Sequence, residues 1–108
     1  MKETPDSTMK YMDFIKRYPH LGEAWAAIHE EEGQGPLDAR TIRLLKLAVA
    51  IGAHREGAVH SAVRKALKAG LTREELEQVV ALGASTVGMP SSVAAFTWVQ
   101  DVLAKAGA

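Results

Sequence analysis

Residues 37–70, LDARTIRLLKLAVAIGAHREGAVHSAVRKALKAG, decide the fold of this chain. Their apolar residues recur every three or four positions, which predicts two helices that meet near His54. On the first of these helices only a narrow strip with Arg43, Lys46 and Ala50 is left for water, so it is expected to be the buried centre of the domain. The second is expected over about residues 55–69 and stops at Gly70, because glycine is favoured just after a helix.

Two helices are predicted before this stretch. The first is expected from a cap at Asp6 or Ser7 to Arg17, since a side-chain oxygen there can accept from a free N–H of the first turn. The Tyr18-Pro19 pair ends it, because the residue before a proline is pushed out of the helical region. The next helix is expected over about residues 21–32, before the break at Gly33-Gln34-Gly35-Pro36.

Two more helices follow the central stretch. Thr72 and Glu75 have the spacing of a capping box, which predicts the start of a fifth helix. A sixth is expected from Ser91 or Ser92, after a break at Gly88-Met89-Pro90. Its apolar residues are expected to face inward: Val93, Phe96, Val99, Val102 and Leu103. No stretch alternates with a period of two, so the chain is predicted to be an all-α domain of six helices.

Length and composition narrow the functional classes. The 108 residues suit a single domain over 1–108, with residues 1–5 expected to be disordered. Equal numbers of basic and acidic residues give no net charge, so neither nucleic acid nor an anionic membrane is an expected partner. No cysteine is present, which excludes disulfides and thiolate chemistry. The start has no apolar signal region and the longest apolar run is short, so a soluble, cytoplasmic protein is expected.

The polar pattern that most resembles a site is the pair Glu56 and His60. The two lie four positions apart on the second helix of the central stretch, so their side chains are neighbours, and His60 lies at the border of the apolar stripe. A carboxylate beside a half-buried imidazole can act as a general acid–base pair. The alternative is structural, because glutamate and histidine at this spacing are also common on helices that carry out no chemistry.

Three further residues are candidates around this pair. Arg43 and Lys46 either extend to the surface or hold an anionic substrate, since both types pair with carboxylates. His54 would extend the pair to H-x-E-x-x-x-H, but the two histidines are six positions apart and do not share a helix face. The expectation is therefore that no metal and no cofactor is bound, and that His54 belongs with the substrate-binding residues.

The segments KLAVAIGA at 46–53, REGAVHSAVRKALKAGLTREELEQVV at 55–80 and AAFTW at 94–98 carry a family resemblance. Together with Gly88-Met89-Pro90, they resemble the carboxymuconolactone decarboxylase family, which includes the alkylhydroperoxidase D-like proteins. The resemblance covers about residues 37–103. It implies a compact six-helix, alkylhydroperoxidase D-like fold that assembles as a homo-oligomer, a trimer or hexamer, with its pocket near subunit contacts.

The redox residues of the family are not matched. The glutamate of the redox branch corresponds to Arg43, its two cysteines to Arg55 and Ala58, and its histidine to Ala62. A thiol peroxidase needs one thiolate to attack the peroxide and a second thiol to resolve the product. The chain can supply neither, so a redox role would need an external thiol partner. The resemblance also implies the decarboxylase branch, whose lactone-specific residues have no clear counterparts here.

Two functional hypotheses follow. The first is a cofactor-free, lyase- or isomerase-type enzyme on a small carboxylate or lactone, with Glu56 and His60 as acid and base. Arg43, Lys46 and His54 would bind the substrate. The second is a non-catalytic oligomeric scaffold or binding protein that retains the family fold. The second predicts that Glu56 and His60 make only structural hydrogen bonds, with no open pocket beside them.

Overall fold

The computed structural model describes the backbone of residues 3–107 and the side chains of residues 10–107. Over this range the chain forms six helices and no strand, as predicted. The helices are α1 (Glu3–Arg17), α2 (Pro19–Glu32), α3 (Ala39–Gly52), α4 (Glu56–Lys68), α5 (Arg73–Val87) and α6 (Met89–Ala106). The chain consists of two compact units: the first, Met1–Pro36, contains α1 and α2, and the second, Leu37–Ala108, contains α3 to α6. None of the described helices has the length and apolarity needed to cross a bilayer.

Local signals define the ends of α3 to α5. The Asp38 carboxylate accepts from the Thr41 N–H at 2.8 Å and caps α3. The capping box predicted at the start of α5 forms between Thr72 and Glu75. Gly70, after α4, has a φ of +92°, which a residue with a side chain rarely adopts.

Glu75 also joins α5 to α3. Its carboxylate accepts from the Arg40 guanidinium, with 2.7 Å to one oxygen, and this contact holds the pKa of Glu75 below its usual value. Because the pKa is lowered in the folded state, the stabilisation is present above the ordinary carboxyl pKa. It is lost as the pH falls through the lowered value.

Three helices begin earlier than the sequence predicts, each with a proline in its first turn. The α1 helix begins at Glu3 and includes Pro5. Of residues 1–5, for which disorder was expected, Met1 and Lys2 lie outside the described residues, and the disorder stays a prediction. Pro19 opens α2, and Pro90 lies in the first turn of α6. Proline is tolerated there because its missing N–H would have no helical partner anyway.

The core lies in the second unit, where α3 packs on α4 and α5, and α6 packs on the same two helices. Leu47, Leu76 and Leu103 are fully buried in it. The remaining buried apolar residues are Ala50, Ile51, Val59, Ala62, Val63, Ala66, Leu71, Val80, Ala95, Val99 and Val102.

The predicted faces of α3 and α6 need correction. Ala50 was expected to face water but is buried, whereas Val49 is 67% exposed. Val93 and Phe96 were expected to face inward but are exposed on α6. The reason is that α3 and α6 each pack on α4 and α5, so the face of each helix that is turned away from α4 and α5 is left exposed. The α3 helix is therefore an outer helix with an uncovered apolar face, not the buried centre.

The first unit is a pair of helices in close contact. A side chain at Gly22 would come within 3.1 Å of the Cβ atom of Ile15, so the two helices are close together at this point. The larger apolar side chains of this unit are nevertheless exposed: Tyr11, Met12, Phe14, Tyr18, Leu21, Trp25 and Ile28.

Candidate functional site

The α4 helix presents two of the predicted site residues on one face. Glu56 lies in its first turn and His60 lies one turn later. The helix begins at Glu56 because Arg55 is in an extended conformation at the cap position. Val59 and Val63, which border this face, are fully buried and hold the helix against the core. The backbone that carries Glu56 and His60 is therefore fixed by packing rather than by their own contacts.

His60 is paired with a residue on a different helix. Its Nε2 lies 3.2 Å from the Oδ2 atom of Asp101 on α6. The His60 side chain is 25% exposed and that of Asp101 is 48% exposed, so the pair is half withdrawn from water. An ionised carboxylate can only accept a hydrogen bond. His60 therefore donates from Nε2–H, which leaves Nδ1 as the basic nitrogen of the neutral ring.

Glu56 completes a group of three. One ligand-type atom each from Glu56, His60 and Asp101 all lie within 4.8 Å of one another. Two groups at this separation can both reach an atom placed between them, since hydrogen bonds span about 2.6–3.2 Å. Two carboxylates and one imidazole thus converge on a space large enough for one water molecule, one substrate atom or one ion.

An open cavity adjoins this group. It has a volume of about 670 Å³, within the range of small-molecule pockets. Its lining among the described residues comes from α4 and α6: His60, Phe96, Thr97, Gln100, Asp101, Ala104 and Lys105. Phe96 offers an apolar wall and Lys105 a positive charge, so the lining suits a small molecule with an anionic end.

A polar cluster joins α5 to the part of α6 that lies next to this cavity. Gln100 Nε2 donates to Glu77 at 2.7 Å, and its Oε1 accepts from Arg73 at 3.1 Å. Arg73 also donates to Glu77 at 3.3 Å, which closes the cluster. Because Gln100 precedes Asp101 on α6, this cluster restrains the helix turn that carries the partner of His60.

The other predicted site residues lie elsewhere. Arg43 is half-buried and Lys46 is exposed on α3, and neither belongs to the described cavity lining. His54, in the turn between α3 and α4, has a φ of +56°, which histidine adopts only occasionally. Its ring packs on Trp98 of α6, with 5.0 Å between ring centroids. The structure therefore brings Glu56 and His60 together with Asp101, but not with Arg43, Lys46 or His54.

Asp101 is the site residue that the sequence interpretation missed. It is 41 positions from His60, so no local spacing connects the two. One signal was available, because Asp101 is the only acidic residue in the sequence of α6, MPSSVAAFTWVQDVLAKA. Because withdrawing a carboxylate from water is costly unless it is paired, a single acidic residue on such an apolar helix predicts a polar partner on another helix.

Comparison with known proteins agrees with this architecture. The sequence model of the carboxymuconolactone decarboxylase family matches residues 19–101. Among solved structures, the chain is similar to the crystal structure of the apo form of a carboxymuconolactone decarboxylase family protein from Legionella pneumophila. The two share 25% sequence identity and a TM-score of 0.81, over 92% of this chain and 89% of that one.

No curated protein matches the sequence. The family match nevertheless spans most of the chain, and the similar structure covers both units. The redox cysteines of some family members have no equivalent, because the sequence contains no cysteine. The chain therefore belongs to the carboxymuconolactone decarboxylase family, as a member without cysteine.

Proposed function

We propose that this protein is a cofactor-free acid–base enzyme that acts on a small carboxylate or lactone, with His60 and Glu56 as the proton-transferring residues. The observation that carries the proposal is the His60–Asp101 pair at the edge of an open cavity. Asp101 would hold the ring with its proton on Nε2, so that Nδ1 could take a proton from the substrate. The Glu56 carboxylate, which has an oxygen within 4.8 Å of a ring nitrogen of His60, would donate a proton to the substrate. These two transfers complete an isomerisation by proton shift; in a lyase reaction they accompany cleavage of a substrate bond, and the leaving group departs through the open cavity.

Lys105 supports the choice of an anionic substrate. It contributes a positive charge to the same cavity lining as His60 and Asp101. Arg43, Lys46 and His54 stay predictions as substrate-binding residues, because they lie outside that lining. The competing hypothesis of a non-catalytic scaffold expects no open pocket beside His60, so the cavity favours the enzyme. A cytoplasmic location is also part of the proposal.

The proposal is tested with a panel of small carboxylic acids and lactones. Binding is followed by amide NMR shifts on the full-length chain, and each binder is then assayed for turnover. We expect binders to shift the signals of residues 96–105, and Lys105→Ala to weaken binding about tenfold, the effect of losing one charge-assisted hydrogen bond of about 1.4 kcal/mol. Lys65→Ala, at an exposed position on α4, is the matched control and should change nothing.

Two results would contradict the proposal. If no acid or lactone shifts residues 96–105 at millimolar concentration, the scaffold hypothesis takes its place. If Arg43→Ala or Lys46→Ala weakens binding while Lys105→Ala does not, the anion binds at α3 as the sequence predicted, and the role proposed for Lys105 is wrong.

Self-association is the second part of the proposal. Four residues of α3, at the spacing of one helix face, are exposed, and all are apolar or glycine: Leu45, Ala48, Val49 and Gly52. An uncovered apolar face of this kind marks an interaction surface. The exposed aromatic side chains of α1 and α2 add a second such surface. Further copies of the chain would cover both, in a trimer or hexamer.

Light scattering after gel filtration measures this directly. We expect the wild-type chain to elute as an oligomer, and Val49→Asp to raise the dissociation constant by more than about tenfold, because it buries an unpaired charge. Gln78→Asp, at an exposed position on α5, is the control and should leave the mass unchanged. A monomeric wild-type chain at tens of micromolar would disprove self-association.

A further inference from the structure

We propose that Glu56, His60 and Asp101 form a binding site for a divalent transition-metal ion of the Zn²⁺ class. The three side chains offer one imidazole nitrogen and two carboxylate oxygens, all within 4.8 Å of one another. They come from two helices, since α4 carries Glu56 and His60 and α6 carries Asp101. Packing of α4 on α6 thus brings them together, which distinguishes this group from carboxylates that are merely adjacent along the surface of one helix.

The distances suit an ion of this size. Zinc binds nitrogen and oxygen ligands at about 2.0–2.2 Å, so two ligand atoms of a tetrahedral site lie about 3.3–3.5 Å apart. His60 Nε2 and Asp101 Oδ2 are 3.2 Å apart and therefore already have nearly this spacing. The Glu56 oxygen, which lies within 4.8 Å of the other two ligand atoms, must move closer to them to reach this spacing. The Glu56 side chain is exposed in the first turn of α4, and an exposed side chain can change rotamer at little cost.

The ligand types select the class of ion. Imidazole favours zinc and its transition-metal neighbours, whereas Mg²⁺ and Ca²⁺ prefer sites made of oxygen alone. Three protein ligands leave at least one coordination position for water or substrate. His60 and Asp101 line the cavity, so an ion held between them would be accessible from it.

Metal binding would regulate the acid–base reaction proposed above. When a metal binds the lone pair of Nε2, the neutral ring of His60 carries its proton on Nδ1 instead, so Nδ1 can no longer accept a proton from the substrate. The metal also occupies the Glu56 carboxylate, so the ion is expected to inhibit turnover. This consequence rests on the proposed function, whereas binding of the ion does not.

Calorimetric titration of the full-length, untagged chain with ZnCl₂ tests the binding. We expect one Zn²⁺ per chain, no comparable binding of Mg²⁺, and at least about tenfold weaker Zn²⁺ binding in both His60→Ala and Asp101→Asn. The matched control is His20→Ala. His20 also lies 3.2 Å from a carboxylate, that of Glu23, but among the described residues no third ligand group joins this pair. The control should bind Zn²⁺ like the wild type.

Visible absorption with Co²⁺ in place of Zn²⁺ adds a readout that a folding defect does not mimic. The wild type should show the bands of an ion bound in a low-symmetry site, and His60→Ala should lose them while keeping its helical circular dichroism. Zn²⁺ binding that is absent from the wild type, or unchanged in both ligand variants, would overturn the inference.

The two proposals are separated by assaying the metal-free protein. If Zn²⁺ binds to the triad but the metal-free chain turns over no substrate, the acid–base function is wrong and the metal site stands. If the metal-free chain is active and Zn²⁺ neither binds nor inhibits, only the metal site is wrong.

Discussion

His60→Ala is expected to lower kcat by about 10²–10⁴-fold on any substrate found among the small carboxylates and lactones. This is the range that one positioned general acid–base group contributes. Among the described residues, His60 is the only histidine in the cavity lining, and it is held by Asp101 at 3.2 Å. Steady-state kinetics on the metal-free protein, with the circular dichroism of each variant, measure the effect. The KM should change much less than kcat, because the imidazole acts on the proton in transit.

Two variants make this result specific. His20→Ala removes an imidazole that also contacts a carboxylate, on α2, and should leave kcat unchanged. Asp101→Asn retains the shape of the partner but presents an amide that can donate as well as accept, so His60 can no longer be held in one tautomer. It should lower kcat in the same direction as His60→Ala. A loss of less than about tenfold in His60→Ala would show that the imidazole is not the proton carrier.

Leu47→Ala is expected to lower the free energy of unfolding by about 2–5 kcal/mol, the cost of truncating a fully buried leucine. Leu47 is fully buried and lies in the core that α3 shares with α4 and α5. A domain of this size is stable by about 5–15 kcal/mol in total, so the loss is a large share of it. Denaturant titration at one fixed protein concentration measures it, because self-association would otherwise add to the apparent stability.

Leu37→Ala is the matched control for this change. It removes the same atoms from a leucine that is 52% exposed just before α3, and it should cost much less. Equal losses in the two variants would mean that α3 is not held by its Leu47 face. In that case the assignment of the core to the side of α3 facing α4 and α5 would be wrong.

The fold was largely predictable because its signals are local. The capping box of Thr72 and Glu75 and the stop at Gly70 each act within three or four residues, and both form as predicted. The cap that Asp38 provides for α3 acts over the same short range. The starts of α1, α2 and α6 were placed too late. Proline breaks a helix from within but is accepted in its first turn, and the sequence pattern does not separate these two cases.

The site was predictable only in part. Glu56 and His60 are four positions apart on one helix, so their proximity follows from helix geometry alone. Arg43, Lys46 and His54 were expected to bind the substrate beside this pair, but they lie outside the described cavity lining, to which Lys105 contributes a positive charge. Their substrate-binding roles stay predictions.

By itself, the sequence determined the all-α class, most helix ends, the absence of thiol chemistry and the Glu56–His60 pair. Only the tertiary structure decided that Asp101 is the partner of His60 and that Ala50 is buried while Val49, Val93 and Phe96 are exposed. The physical reason is the distance along the chain over which each kind of contact acts. Caps, turns and neighbours on one helix depend on contacts over a few residues. The meeting of α4 with α6, 41 positions apart at His60 and Asp101, depends on how several apolar faces pack at once.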